Sequence, residues 1–290
     1  MIRQKVLYAA LLAFLLCFGF ALAGCGGAGA AKSSSSTGGS TGSSTGSSTG
    51  GGGQGGTLNV FAAASLTDAF GELGKTFEKQ NPGAKVRATF AGSSTVLAQI
   101  QQGAPADVFA SADEAKMKKA EKSGLISGKP KVFVKNREVV IVPKDNPANI
   151  SGFRQLSKPG IKLVLAEDGV PAAEYAKEIL GKANSEYGSG FEKKVLSNLV
   201  SRESDVRAAV NRVALGDADA TFGYASDVTP DIKKKVRVIE IPKNLNVTAT
   251  YPIAVLKRSS NKVLARKWVD LVTSKKGQQI LGKWGFKPVN

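Results

Sequence analysis

Leu58-Asn59-Val60-Phe61-Ala62-Ala63-Ala64-Ser65-Leu66 passes from a β-rich run into sequence of helical period within a few residues. Residues 58–61 read as a strand, and residues 66–80 as a helix with Leu66, Phe70, Leu73 and Phe77 along one face. Asn81-Pro82-Gly83 ends that helix as a turn. The alternation then repeats, with strands at 85–90 and 107–111 and helices at 94–102 and 113–123, the last closed by Gly124. A second series opens at 138–142. It continues through strand 162–166, helix 171–180, helix 205–215 closed by Gly216, and strands 220–224 and 236–241. Residues 252–256 lead back to two closing helices, 264–273 and 277–284. Alternating strands and helices specify an α/β protein. The apolar runs Glu138-Val139-Val140-Ile141-Val142 and Pro252-Ile253-Ala254-Val255-Leu256 join the two series. Two lobes linked by a double crossover hinge are therefore predicted, with a ligand cleft between them.

Upstream of this region, Arg3 and Lys5 precede an apolar run over residues 6–22 that ends in Leu22-Ala23-Gly24-Cys25. The pattern is that of a secretory signal peptide. Its roughly 17 apolar residues only reach the lower limit for a membrane span, and the small residues before Cys25 fit processing instead. The tetrad resembles the lipobox of bacterial lipoproteins, which implies lipidation of Cys25 by several acyl chains. Stable anchoring takes more than one chain, so the expected location is the outer face of the cytoplasmic membrane. Residues 26–56 are almost entirely Gly, Ser and Thr and read as a flexible tether. Its r.m.s. reach is about 30 Å, from about 5–6 Å × √n. The expected organisation is a signal peptide at 1–24, lipidated Cys25 and tether at 25–56, the first part of lobe I at 57–138, lobe II at 139–252, and the C-terminal part of lobe I at 253–290.

Composition removes whole classes of chemistry. The chain has no histidine, and its two cysteines are Cys17, inside the signal, and Cys25. An exported domain without thiol or imidazole lacks most of the usual catalytic and metal-ligating groups. A serine hydrolase using Ser65 or Ser93 would have no histidine base and no G-x-S-x-G elbow. The formal charge is +17, two units of which belong to Arg3 and Lys5. Export and the scattering of the lysines argue against a nucleic-acid partner.

What remains is a recurring feature: four strand-to-helix junctions that place small or hydroxyl residues at a helix start. They are Phe61-Ala62-Ala63-Ala64-Ser65-Leu66, Phe90-Ala91-Gly92-Ser93-Ser94-Thr95, Val170-Pro171-Ala172-Ala173 and Glu203-Ser204-Asp205-Val206. Free N–H groups and the positive end of the helix dipole make each a seat for an anion. Taken singly, a hydroxyl there reads as an N-cap; four seats in one cleft would read as a site. Asp205 is an acceptor for a protonated anion or a residue that complements the helix dipole. Tyr224, at a strand end, packs or binds. Asp107 and Asp113 read as a turn and a cap, the Lys233-Lys234-Lys235 run as a solvated face, and Trp268 and Trp284 as core.

At these junctions the chain resembles the periplasmic molybdate-binding proteins of ABC transporters. The matching stretches are Phe61-Ala62-Ala63-Ala64-Ser65-Leu66-Thr67, Gly92-Ser93-Ser94-Thr95, Gly103-Ala104-Pro105-Ala106-Asp107-Val108-Phe109-Ala110-Ser111-Ala112-Asp113, Val170-Pro171-Ala172, Asp205-Val206-Arg207, Tyr224-Ala225-Ser226-Asp227 and Tyr251-Pro252-Ile253-Ala254-Val255, in that order. The resemblance implies a type II periplasmic-binding-protein fold closing over a tetrahedral oxyanion, molybdate or tungstate. It also implies an ABC transporter permease as partner, a monomeric protein, no catalysis and no cofactor. Carried over by position, Ser65 and Ser93 bind through hydroxyl and N–H, Ala172 and Val206 through N–H, and Tyr224 through its hydroxyl; Ser94 is the alternative to Ser93. The segment between Ala172 and Val206 is longer than in familiar members, and Gly92 stands where a serine is common. A fully deprotonated oxyanion offers only acceptors, which donor-only seats satisfy. Sulfate shares that property, so its rejection rests on cavity size.

Overall fold

The computed structural model describes residues 55–289. The chain divides into two units, Met1–Gly50 and Gly51–Asn290, and the described residues belong to the second. The expected signal peptide, Cys25 and all but the end of the tether lie outside the described residues. Among the described residues no helix is long and apolar enough to cross a membrane.

In chain order, β1 (Gly56–Ala63) leads through a 3-10 turn (Ala64–Leu66) into α1 (Thr67–Gln80), followed by β2 (Ala84–Ala91), α2 (Ser93–Gln101), β3 (Val108–Ala110), α3 (Glu114–Lys122) and β4 (Ile126–Pro143). Next come β5 (Leu163–Ala166), α4 (Pro171–Tyr187), α5 (Phe191–Leu196), β6 (Leu199–Glu203), α6 (Val206–Ala214), β7 (Ala220–Tyr224), α7 (Pro230–Lys233) and β8 (Val236–Ile239). The chain closes with β9 (Thr248–Leu256), α8 (Lys262–Thr273) and α9 (Lys275–Lys283). Strands are ordered β2-β1-β3-β9-β4-β7-β5-β6, with β8 also paired to β4.

The lobes follow from the pairing. In the first, β1 lies parallel to β2 and β3, and β3 is antiparallel to β9. In the second, β5 lies parallel to β6 and β7. Strand β4 belongs to both: Ile126 to Arg137 pairs with β9, Glu138 to Ile141 with β7, and Val140 to Pro143 with β8. Together β4 and β9 form the double crossover, and Glu138 stands where β4 changes partners. Residues 126–137 contain Gly128 and Pro130, which break a strand in sequence. Register shifts between Ser127 and Lys131 and between Val132 and Val134 absorb them, so β4 starts well before residue 138.

Each lobe has its own core. The expected face of α1 (Leu66, Phe70, Leu73, Phe77) is fully buried. There Trp268 meets Phe70 and Phe77 edge-on, with ring centroids 5.4 and 5.5 Å apart. The second lobe packs Phe153 against Phe191 and Phe222, centroids 5.7 and 6.1 Å apart. Asp107 and Asp113 have structural tasks: Asp107 accepts from the Asn59 N–H at 2.8 Å and the Ser259 hydroxyl at 2.7 Å, and Asp113 caps α3 by accepting from the Lys116 N–H at 2.8 Å. Trp284 is only half-buried, with its indole N–H donating to Glu72 at 2.9 Å. Lys233, Lys234 and Lys235 are exposed.

Three elements go beyond the sequence expectation. Helix α4 runs to Tyr187, ending at Gly188 with φ +101°, and α5 and β6 fill the longer segment before α6. Strand β6 is the last strand on its side of the sheet and reads Leu-Val-Ser-Arg-Glu, too polar to announce itself. Trp268→Ala is expected to destabilise the protein by about 3–5 kcal/mol through the cavity it leaves between Phe70 and Phe77; equilibrium urea unfolding measures this directly.

Candidate oxyanion site

One small cavity collects all four junctions. It is lined by Ala63, Ala64 and Ser65 after β1, by Ala91, Gly92 and Ser93 after β2, and by Ala112 after β3. The second lobe adds Val170, Pro171 and Ala172 at the start of α4, Asp205 and Val206 at the start of α6, and Tyr224 at the end of β7. Ser65, Ser93, Ala172, Val206 and Tyr224 are thus brought together; Ser94 is not part of the lining. The cavity volume is ≈ 10 Å³. A space of this size is about that of a single water and far below the roughly 300–1,000 Å³ of pockets that hold organic solutes. A larger surface groove of ≈ 870 Å³ lies elsewhere, bounded by Lys131, Phe133, Gln278 and Pro288. Its one helix start, that of α9, is already capped by Ser274, which accepts from the Gly277 N–H at 3.1 Å.

The donors at the cavity are backbone groups that their own helices leave unpaired. Ser93 is the first residue of α2, and the preceding Gly92 has no side chain to cap it. Helix α4 begins at Pro171 behind Val170, again without a side-chain cap, so the Ala172 N–H has no acceptor inside the helix. Helix α6 is capped: Asp205 accepts from the N–H groups of Arg207 and Ala208 at 2.8 and 3.0 Å. The Val206 N–H, in the first turn of α6, has no acceptor inside the helix, and Val206 lines the cavity. Asp205 Oδ1 thus serves as the cap of α6.

Three buried hydroxyls complete the donor set. Ser93 Oγ accepts from the Ala112 N–H at 3.0 Å, which leaves its own proton to point elsewhere. Ser65 Oγ is 2.9 Å from Tyr251 Oη. Tyr224 Oη is fully buried and has no hydrogen-bond partner among the described residues. Burial pushes both Tyr224 and Tyr251 well above the ordinary phenol range, so each stays a neutral donor. Gly92 sits where the lobes touch: a Cβ there would lie 3.0 Å from Val170 Cγ2 and 3.1 Å from the Ser204 carbonyl oxygen. Sequence reasoning missed Tyr251 and Ala112 as supports, because nothing local marks a strand residue that reaches a serine 186 positions away.

The match to the family of bacterial extracellular solute-binding proteins spans residues 58–287. The chain belongs to that family. Among its relatives, the molybdate-binding protein ModA of Mycobacterium tuberculosis is 40% identical over 227 residues, covering 78% of this chain and 83% of that protein. ModA of Haemophilus influenzae is 32% identical over 236 residues, covering 79% and 89%. The solved periplasmic molybdate-binding protein of Azotobacter vinelandii shares the fold with a TM-score of 0.70 at 21% identity, covering 80% of this chain and all of that one. This solute-binding protein is not an enzyme, and its fold is the two-lobed type II arrangement with the cleft between lobes.

Next to the site lies a buried acid. Glu138 pairs in register with Tyr224, is fully buried, and neither carboxyl oxygen has a hydrogen-bond partner among the described residues. Burial, then the nearby Asp227, pushes its pKa well above the ordinary 4.5, so it is held neutral. Below 4.5 folded and unfolded chains are both protonated there; above it only the unfolded chain ionises, and stability falls as pH rises toward the folded pKa. Asp227, raised chiefly by burial against the opposing effect of Arg207, adds the same sign. Glu138→Gln removes one of these groups. Its stability relative to the parent protein should therefore climb from pH 4.5 upward, by up to about 1.4 kcal/mol per pH unit. Urea titrations at a series of pH values check the slope; an unchanged difference across pH contradicts the assignment.

Proposed function

We propose that this chain captures molybdate or tungstate outside the cytoplasm and delivers it to an ABC transporter permease. The observation that carries the reading is the convergence of Ser65, Ser93, Ala172, Val206 and Tyr224 on one small cavity, as backbone and hydroxyl donors with no cationic side chain among the lining residues. Ser65 and Ser93 bind through hydroxyl and N–H, Ala172 and Val206 through N–H, and Tyr224 through its hydroxyl. A dianion without a proton accepts from every one of them, whereas a hydrogen phosphate would also need an acceptor, and the one carboxylate of the lining, Asp205, uses Oδ1 to cap α6. The 40% identical relative that bears the name molybdate-binding supports this choice over sulfate. Capture works by closure of lobe I (57–138 and 253–290) on lobe II (139–252), which shifts an open–closed equilibrium toward the closed form. The protein acts as a monomer with no resident cofactor and no nucleic-acid partner. After removal of residues 1–24 it is held through lipidated Cys25 on the outer face of the cytoplasmic membrane, with 25–56 as tether.

Thermal-shift titration of the protein against molybdate, tungstate, sulfate and phosphate tests the ligand. At a hundredfold excess over Kd a true ligand adds about 2.7 kcal/mol of stability, enough to read plainly. Molybdate and tungstate are expected to raise Tm, with the shift weakened in Ser65→Ala and Tyr224→Phe. A shift with sulfate or phosphate alone would overturn the ligand, and no shift with any of the four would overturn the reading.

A further inference from the structure

We infer that Arg207 is a positioning residue that ties lobe closure to the geometry of the anion seats, through Asp68 across the cleft and Asp227 behind it. The inference rests on the proposed function and adds residues that do not line the cavity. Arg207 is the second residue of α6, directly after Val206. Its Nη2 donates to Asp68 Oδ2 at 2.7 Å, and Asp68 lies in the first turn of α1, three residues after Ser65. Its Nε lies 2.7 Å from Asp227 Oδ1, an ion-pair contact. The other oxygen of Asp227 accepts from the Tyr224 N–H at 2.9 Å. One guanidinium therefore links the segments that carry Ser65, Val206 and Tyr224.

The two halves of the link differ in kind. Asp227 is fully buried and belongs to the same lobe as Arg207, so their pairing persists whether the cleft is open or shut. Asp68 has a side-chain exposure of 35% and belongs to the other lobe, so its contact exists only when the lobes meet. Asp227 and Asp68 outweigh the burial that opposes Arg207's charge, which leaves the guanidinium firmly protonated. A planar fork can serve both carboxylates at once, which a lysine ammonium cannot do in the same geometry. A contact made only in the closed form biases the equilibrium toward closure, and a closed cleft must reopen before the anion leaves. The bias acts on the dissociation rate more than on the association rate. The plain alternative is that Asp68 merely complements the dipole of α1, in which case it affects stability and not ligand exchange.

The experiment uses the full chain and sodium molybdate as probe, with Kd from calorimetry and the dissociation rate from a chase of radiolabelled molybdate. Asp68→Asn is expected to raise the dissociation rate about tenfold while leaving association within about twofold. The Tm without added anion should stay unchanged. In Arg207→Lys the same loss is expected, and adding Asp68→Asn to it should have little further effect, the non-additivity of groups acting through one contact. Asp231→Asn, which removes an exposed ion pair with Lys234, is the control and should bind like the parent protein. Parent-like Kd and dissociation rate in Asp68→Asn would overturn the inference even if Arg207→Lys fails to fold, and so would additive losses in the double variant. If the parent protein itself binds no molybdate, the proposed function falls first, and the inference with it.

Discussion

The first turn of an α-helix exposes N–H groups that no carbonyl of the same helix can accept, and this structure depends on aiming several of those turns at one point. Helices α2, α4 and α6 and the 3-10 turn before α1 start at the ends of strands in two different sheet segments, and their starts line one cavity. The positive ends of the helices supply favourable potential without a cation. That matters for selectivity, because a fixed lysine or arginine would attract any anion. Under the proposed function, neutral donors in fixed directions instead favour a guest that accepts from all of them at once.

Holding the seats in register falls to the pair β4 and β9. Because β4 pairs with β9 in one lobe and with β7 and β8 in the other, the strand that carries the hinge is continuous through both sheets. The point of exchange is occupied by Glu138, a carboxyl with no partner among the described residues, opposite Tyr224 in register. A buried neutral acid weakens the fold at neutral pH. Its place beside the hinge and the site fits the general pattern in which functional regions carry groups that stability alone would not select.

Much of this was legible in the residues. The face Leu66, Phe70, Leu73, Phe77 gave α1 its core side, the closing glycines Gly124 and Gly216 both adopt positive φ (+69° and +81°), and Tyr224 ends β7 as expected. The five candidate ligand residues came from resemblance and junction chemistry together, and the fold gathers them around one space. Two kinds of information were hidden. Strand β4 hides behind Gly128 and Pro130, because a bulge is a property of the partner strand as much as of the residues in it. Long-range partnerships such as Ser65 with Tyr251 or Asp68 with Arg207 are set by the packing of the lobes, and no local spacing encodes them.

Gly92 carries a last consequence. Where it approaches Val170 and the Ser204 carbonyl, the first added carbon would already sit at about the limit of contact, 3.0 and 3.1 Å away. The residue there is the smallest available, so any side chain added at this position asks Val170 and the Ser204 carbonyl to give by a few tenths of an ångström. How far these two walls can yield therefore decides which side chains position 92 accepts where the lobes meet.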